Sequence, residues 1–254
     1  MVSKNTVKFI KSLHRKKFRK QEQSFFVEGA KNVTELLRAN FTVTKLLCTE
    51  KFKNQHHELM DSIEGEAILV GQHELSQIGT FQTNDAALAV ATIPKAEDFE
   101  IGKGDLVLAL DDVRDPGNLG TIIRIADWYG IEKLILSPET ADFYNPKVLN
   151  ASMGSFCRVR FMYKALDTVL GEIKIPVFGA FVDGDNLHKH DLGREGVILV
   201  GNESRGISAD LAPYIHHKIS IPQFGAAESL NVAIATAVIC DNFMRKKNQK
   251  SFDQ

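Results

Sequence analysis

The sequence predicts an α/β protein made of two successive blocks. Strand and helix patterns alternate along the chain, which is typical of layered α/β structures. A polar segment at residues 95–104 interrupts the alternation and contains two glycines, so it indicates a joint between domains. Beyond it, residues 106–110 are continuously apolar, as in a strand that a parallel sheet buries on both faces. We therefore expect a first domain at 1–94, a second domain at 105–247 and a polar tail at 248–254.

The first block consists of short strands separated by helices. Residues 30–39 carry apolar side chains on one stripe, which predicts an amphipathic helix. The expected strands lie at 25–28, 43–48, 66–70 and 87–93, and the other expected helices at 54–63 and 73–78.

The second block repeats the alternation. Its expected strands lie at 106–110, 133–136, 177–181, 197–200 and 218–221, with helices between them. A last helix, from about residue 230 to 245, is apolar on nearly all sides as far as Cys240. Such a helix is expected to be buried, within the chain or against a second subunit.

Positive charge is concentrated near the N-terminus. The formal net charge of the chain is −1, so bulk charge predicts no polyanionic partner. Residues 1–20, however, contain eight lysines and arginines and no acid. A local basic cluster of this kind can bind a phosphate backbone even when the whole chain is nearly neutral. The candidate contacts are Lys11, Arg15, Lys16, Lys17, Arg19 and Lys20.

The cysteines and histidines predict no metal site. Cys48, Cys157 and Cys240 are far apart and form no CxxC pair, and the adjacent histidines lack the spacing of metal ligands. Isolated cysteines in apolar runs indicate a reducing, cytoplasmic setting. No apolar run reaches the roughly 18–20 residues of a membrane span, so we expect no membrane association.

The segment 118–124 is the first candidate for a functional site. A helix is expected to begin near Asn118, directly after the buried strand at 106–110. Gly120 and Arg124 lie one turn apart on one side of that helix, so Arg124 reaches back over the notch that the glycine leaves. Together with the free N–H groups of the helix start, this forms a pocket for an anion. The same residues also fit an ordinary helix start with a capping Asn and a surface Arg.

Two further stretches place polar residues after buried strands. Gly201, Glu203 and Gly206 follow the strand at 197–200, where glycines let the backbone approach a ligand closely. Taken alone, this stretch also fits a plain strand-to-helix turn. After the strand at 218–221, Ser229 fits the N-cap of the last helix. Asn231 in so apolar a helix needs a polar partner.

In their order and spacing, the three stretches resemble the motifs of the SpoU (TrmH) family of RNA ribose 2′-O-methyltransferases, in the SPOUT class. The residues that match are Asn118, Gly120 and Arg124, then Gly201, Glu203 and Gly206, then Ile221, Pro222, Gly225 and residues 229–232. Residues 151–155 resemble the small-residue stretch between the first two motifs. Gln223 departs from the family, in which Met is common. The first block is more loosely similar to the family's accessory RNA-binding domain.

The resemblance implies a fold and a cofactor that periodicity does not show. In the family, the C-terminal part of the chain threads a deep trefoil knot, S-adenosylmethionine binds in the knot loops, and two subunits form a homodimer. The backbone at Gly201, Ile221 and Leu230 is thereby expected to hold the cofactor. The end of the strand at Ala180 and Phe181 is a further candidate.

The implied activity is methylation of a ribose 2′-hydroxyl in RNA. Arg124 is assigned to the RNA phosphate and the 2′-oxygen as a charge stabiliser, because a guanidinium holds its proton too strongly to act as a base. Asn118 would orient Arg124 or the ribose, and Glu203 would hold Arg124 or Asn118. Ser229 and Asn231 would shape the floor of the pocket.

The accessory domain favours ribosomal RNA over transfer RNA as the substrate. A transfer RNA 2′-O-methyltransferase is one alternative. A non-catalytic RNA-binding protein that kept the fold is another, and cofactor binding would distinguish it.

Overall fold

The protein is described by a computed structural model that covers residues 2–60, 63 and 65–249. The chain divides into two compact units. Unit 1 comprises Met1–Lys95 and Asp142–Cys157, and unit 2 comprises Ala96–Ala141 and Arg158–Gln254. Of the predicted polar tail, residues 250–254 lie outside the described residues. In the described part of the chain, every helix is too short or too polar to cross a bilayer.

Unit 1 is built on a four-stranded sheet. The strands are β1 (Ser24–Glu28), β2 (Val43–Cys48), β3 (Glu66–Leu69) and β4 (Ala87–Thr92), in the order β1-β4-β2-β3. β4 runs antiparallel to β1 and β2, whereas β3 runs parallel to β2. The four strands predicted for the first block are confirmed. The helices of residues 1–95 are α1 (Lys4–Ser12), α2 (Lys16–Glu22), α3 (Ala30–Arg38), α4 (Glu50–Gln55), α5 (His57–Met60) and α6 (Gln72–Ile78).

The helix predicted at 54–63 is confirmed only in part: residues 54–60 are helical except at His56, the helix begins earlier, and residues 61 and 62 lie outside the described residues. Thr49 Oγ1 accepts a hydrogen bond from the Phe52 backbone N–H (3.3 Å), and this cap starts α4 at Glu50. The buried Phe52 ring lies before the predicted start and anchors α4 in the core. α5 is a separate short helix.

Unit 1 also contains a segment that lies much later in the sequence. Residues 142–157 form α8 (Pro146–Ser152) and a short 3₁₀ helix. The ring of Phe25 lies 4.7 Å from that of Tyr144 and 6.1 Å from that of Phe156, measured between centroids. The sequence boundaries assign this segment to the second domain. An aromatic cluster formed by distant residues leaves no local pattern from which its place could be predicted.

Polar contacts hold the same segment in unit 1. The carboxylate of Glu28 is fully buried and accepts hydrogen bonds from the Thr80 backbone N–H (2.9 Å) and from Asn150 Nδ2 (3.4 Å). Gly154 has φ +92°, and a Cβ built there would lie 2.4 Å from Glu35 Cγ. Within the small-residue stretch at 151–155, Gly154 is therefore a packing requirement of unit 1.

Unit 2 is built on a parallel sheet, as the sequence predicts, and this sheet has six strands. Its strands are β5 (Leu106–Leu110), β6 (Lys133–Leu136), β7 (Arg160–Tyr163), β8 (Val177–Asn186), β9 (Gly196–Val200) and β10 (His217–Ser220). Its helices are α7 (Pro116–Trp128), α9 (Leu166–Glu172), α10 (Val232–Gln249) and a 3₁₀ helix at Ala209–Tyr214. The prediction missed β7, an edge strand in which only Met162 is buried and which pairs with β6 alone among the described strands.

The strand order is β10-β8-β9-β5-β6-β7. From β5 the chain adds β6 and β7 on one side and then crosses to the other side for β8, β9 and β10. The order therefore reverses between β5 and β9. The carboxyl ends of strands at such a reversal form a crevice in which α/β proteins commonly bind ligands.

β8 is longer than predicted, and this changes the place of Ala180 and Phe181. The pairing of β8 with β10 jumps from Gly179 opposite Lys218 to Asp185 opposite Ile219. Residues 180–184 form the bulge between these pairs, so the prediction that Ala180 and Phe181 end the strand is wrong.

Candidate active site

The first candidate segment lies at the start of α7. Asp115 is the N-cap, because its Oδ1 accepts a hydrogen bond from the Asn118 backbone N–H (2.8 Å), and Pro116 occupies the first helical turn. The helix thus begins two residues earlier than predicted. Its buried stripe consists of Leu119, Ile122, Ile123 and Ala126, as predicted, together with Gly120. Asn118 is half-buried and Arg124 is exposed.

A chain of side-chain hydrogen bonds joins the three candidate stretches. Asn118 Nδ2 donates to Glu203 Oε1 (2.7 Å), and Asn231 Nδ2 donates to Asn118 Oδ1 (2.9 Å). Residues that are 85 and 113 positions apart in the sequence are therefore in direct contact. Both ends of the Asn118 amide are used, so its orientation is fixed. Of the two partners predicted for Glu203, the structure shows Asn118.

Asn231 has a second role as the cap of α10. Its Oδ1 accepts hydrogen bonds from the backbone N–H groups of Ala233 (3.0 Å) and Ile234 (3.4 Å). The helix begins at Val232, after the predicted start, because Asn231 takes the position that the sequence assigned to Ser229. Ser229 is exposed in the preceding loop.

Arg124 projects from α7 into solvent. Within the described residues it forms no hydrogen bond or ion pair, so neither Asn118 nor Glu203 orients it. All five N–H donors of its guanidinium are available to a ligand.

The loop that carries Glu203 is closed by a pair of backbone hydrogen bonds. The backbone N–H groups of Asn202 and Gly206 each donate to the carbonyl oxygen of the other, at 3.0 and 2.9 Å. Gly206 has φ +70°, and a Cβ on Gly201 would lie 2.2 Å from the Gly206 carbonyl carbon. Both glycines are therefore needed for this turn, which fixes the position of Glu203.

A sequence model described as the SpoU rRNA Methylase family matches residues 105–241, more than half of the chain. The chain belongs to the SpoU family. A second model, the MRM3-like substrate binding domain, matches residues 4–89.

Relatives and solved structures are similar to this SpoU family member over nearly its full length. The chain is 31% identical over 237 residues to 23S rRNA (guanosine(2553)-2′-O)-methyltransferase RlmP from Bacillus subtilis, covering 92% of this chain and 93% of that protein. An AdoMet-bound rRNA methyltransferase from Sinorhizobium meliloti has a TM-score of 0.86, 29% identity and 97% coverage of both chains. The SpoU methyltransferase AviRb from Streptomyces viridochromogenes, in complex with AdoMet, has a TM-score of 0.85, 25% identity, and coverage of 96% of this chain and 98% of that one.

Four of the five residues that the SpoU resemblance assigns to the cofactor lie on three neighbouring strands or directly after them. Gly201 follows β9 and Ile221 follows β10, with β8 between these two strands. The bulge of β8 carries Ala180 and Phe181, and Lys218 Nζ lies 5.1 Å from the centre of the Phe181 ring. Leu230 is half-exposed (51%) on the loop before α10. Backbone groups and apolar side chains fit a neutral adenosine better than they fit a phosphate.

The basic N-terminal stretch has mostly exposed side chains. Lys11, Arg15, Lys16, Lys17 and Lys20 are all exposed on or beside α1 and α2. Arg19 is 2% exposed: its guanidinium binds Asp142 Oδ2 (2.5 Å from Nη2) and the Leu13 carbonyl oxygen (2.7 Å from Nη1). The assignment of Arg19 to RNA is wrong, because its charge is used inside unit 1.

Two further observations concern metal ligands and cysteines among the described residues. No group of three or more His, Cys, Asp or Glu side chains there is arranged to hold a metal ion. Burial raises the pKa of the Cys240 thiol to about 12 and also raises that of Cys48. These two thiols stay protonated at neutral pH and are not nucleophiles.

Proposed function

We propose that this protein transfers a methyl group from S-adenosylmethionine to a ribose 2′-hydroxyl of ribosomal RNA, in the cytoplasm. The observation that carries the proposal is the hydrogen-bond chain from Glu203 through Asn118 to Asn231. It brings one residue from each SpoU motif into one site beside the strands assigned to the cofactor. A scaffold that only binds RNA has no need of this polar chain.

The names of the relatives support the substrate class. RlmP is named for a guanosine of 23S rRNA, and a Streptomyces viridochromogenes relative, 28% identical over 241 residues, is named for a uridine of 23S rRNA. The coverage is 88% of this chain and 83% of that protein. These two relatives are named for different nucleosides, so the target nucleoside differs among members of the family.

Each polar residue of the site has a role in the proposed methyl transfer. When bound, the cofactor supplies a methyl group on a positively charged sulfur that leaves as a neutral thioether. Arg124 binds the RNA phosphate and stabilises the negative charge that develops on the 2′-oxygen. Asn118, fixed by Glu203 and Asn231, positions the ribose, since aligning two reactants can contribute about 7–11 kcal/mol. A phosphate or a water molecule accepts the hydroxyl proton.

The direct test uses the purified full chain, labelled S-adenosylmethionine and total RNA from cells that lack the enzyme. We expect label on one ribose of 23S rRNA, mapped as a 2′-O-methyl nucleotide. Label on transfer RNA would contradict the ribosomal substrate. Cofactor binding is measured by calorimetry in parallel. Its absence would contradict methyl transfer and favour the non-catalytic alternative.

The exposed lysines of unit 1 recruit the RNA in this proposal. Replacing Lys16, Lys17 and Lys20 together by alanine is expected to weaken RNA binding and to leave cofactor affinity unchanged. Each lost phosphate contact reduces the slope of log affinity against log salt by about 0.7–0.9. The control replaces Lys103, an exposed lysine of unit 2, by alanine. Equal salt slopes for the triple variant and the wild type would exclude these lysines as phosphate contacts.

We also propose that unit 2 forms a homodimer through α7 and α10. These two helices pack together, yet Trp128 on α7 is 82% exposed and Ile234 on α10 is 54% exposed. Sedimentation is expected to give twice the chain mass of 28.3 kDa. Trp128→Glu with Ile234→Glu should give a monomer, whereas Leu69→Glu, at a 46% exposed leucine of unit 1, should stay dimeric. If the doubly substituted protein is still a dimer, the interface lies outside α7 and α10.

The trefoil knot stays part of the proposal. Membership of the SpoU family supports it. The contacts of Asn118 with Glu203 and Asn231 are compatible with it, because they hold the loops after β9 and β10 against the start of α7.

A further inference from the structure

A cleft of about 710 Å³ opens at the carboxyl ends of β5 and β9, where the strand order reverses. Its size is within the range of roughly 300–1,000 Å³ that is typical of small-molecule sites. It lies on the loop that carries Glu203, but its lining includes none of the residues assigned to methyl transfer or to the cofactor. The cleft is therefore separate from the residues assigned to methyl transfer and is a candidate site for a second group of the substrate.

The floor of the cleft is built around the buried carboxylate of Asp112. Its backbone has φ +58°, and this conformation is held by hydrogen bonds from the Asp112 N–H to Ser137 Oγ (2.9 Å) and from Asn202 Nδ2 to the Asp112 carbonyl oxygen (2.9 Å). Arg114 Nε donates to Oδ1 (2.5 Å), and Arg205 Nη2 donates to Oδ2. One buried carboxylate thus fixes two guanidiniums at the mouth of the cleft.

Both guanidiniums keep donors for a ligand. The side chains of Arg114 and Arg205 are 61% and 66% exposed, and each uses one N–H for Asp112. Because an arginine has five such donors in a rigid plane, the remaining ones can bind the acceptor atoms of a nucleobase.

The rest of the rim is acidic. Glu139, Asp167 and Asp210 line the cleft and are exposed. Hydrogen bonding and charge from Asp112, together with the nearby charge of Glu139, raise the pKa of Arg114. The cleft contains five carboxylates and two arginines, so it repels the phosphate backbone of RNA. A neutral group that offers N–H donors to carboxylates and acceptor atoms to arginine would match these charges.

We infer that this cleft binds one base of the substrate RNA, turned out of its stack, and that it prefers guanine. Guanine carries two adjacent donors, N1–H and the 2-amino group, which one carboxylate can accept together. It also carries two adjacent acceptors, O6 and N7, which an arginine binds as a pair. Single-stranded or extruded bases are the usual targets of sequence-specific RNA recognition. The inference rests on the proposed function, because it gives that function its base specificity.

The experiment measures binding of nucleosides to the full chain in the presence of saturating S-adenosylhomocysteine, which blocks the cofactor site. The probes are guanosine, inosine, adenosine, cytidine, uridine and GMP. We expect guanosine to bind best. Inosine, which lacks the 2-amino group, should bind more weakly, and so should GMP, because its phosphate is repelled. Equal affinity for all nucleosides, or tighter binding of GMP than of guanosine, would overturn the inference.

Substitutions test whether the arginine and the acidic residues of the cleft bind the base. Arg205→Ala, and separately Glu139→Ala with Asp167→Ala, should weaken guanosine binding and raise KM for RNA by roughly 10-fold, as for one lost base contact. The salt dependence of RNA binding and the affinity for S-adenosylhomocysteine should not change. Arg194→Ala is the control, at an exposed arginine outside the cleft. If the wild type methylates RNA and the cleft variants keep its guanosine affinity and its KM for RNA, the inference about the base site is wrong and the proposed function stands. If the wild type transfers no methyl group, the proposed function fails.

Discussion

Replacing Arg124 by alanine is expected to lower kcat for methyl transfer by roughly 100- to 1,000-fold, the usual effect of removing one donor to a developing oxyanion. The reason is that its guanidinium is exposed and makes no hydrogen bond or ion pair among the described residues, so all its donors serve the substrate. For the same reason, the variant should fold normally and keep its cofactor affinity. Single-turnover kinetics with labelled cofactor measures the first effect, and calorimetry the second.

The control for this prediction is Arg194→Ala, which removes an exposed arginine of the same unit. We expect it to keep wild-type turnover. Arg124→Lys retains a positive charge but loses the planar set of donors, so it should recover only part of the rate. Near-normal turnover of Arg124→Ala would remove Arg124 from the site and leave the Asn118 chain to account for the chemistry.

Replacing Arg19 by alanine is expected to destabilise unit 1 by about 3–5 kcal/mol, the usual cost of removing one partner from a buried ion pair. Arg19 is 2% exposed and its partner Asp142 is 18% exposed, so the remaining carboxylate would be largely shielded from water. The Leu13 carbonyl oxygen would also lose its donor. The measurement is denaturant unfolding followed by a probe in unit 1.

The matched control is Arg15→Ala, at an exposed arginine of the same basic stretch. We expect Arg15→Ala to keep the stability of the wild type and to reduce the salt dependence of RNA binding. Arg19→Ala should lower the stability of unit 1. Under conditions in which this variant remains folded, the salt dependence of its RNA binding should equal that of the wild type. A stable Arg19→Ala variant with weakened RNA binding would restore the assignment of Arg19 to RNA.

Local sequence patterns predicted most of the secondary structure because the apolar periods of strands and helices are local. The central strand β5 and the buried stripe of α7 follow directly from such runs. Errors at the starts of α4 and α7 came from local caps, whereas two others occurred where the pairing of distant strands decides the outcome. β7 is an edge strand that depends on its pairing with β6, and the bulge in β8 depends on its register with β10.

The class of fold, the SpoU motifs and the residue types that the chemistry needs could all be predicted from the sequence. Which of these residues are buried, and which partners they bind, depends on the tertiary structure. Two arginines four positions apart illustrate this: Arg15 is exposed, whereas Arg19 is turned inward to Asp142, more than a hundred residues away. Likewise, only folding brings Asn118 between Glu203 and Asn231. The physical reason is that a local pattern records which side chains avoid water, whereas the partner of a polar side chain depends on which distant segment the fold places beside it.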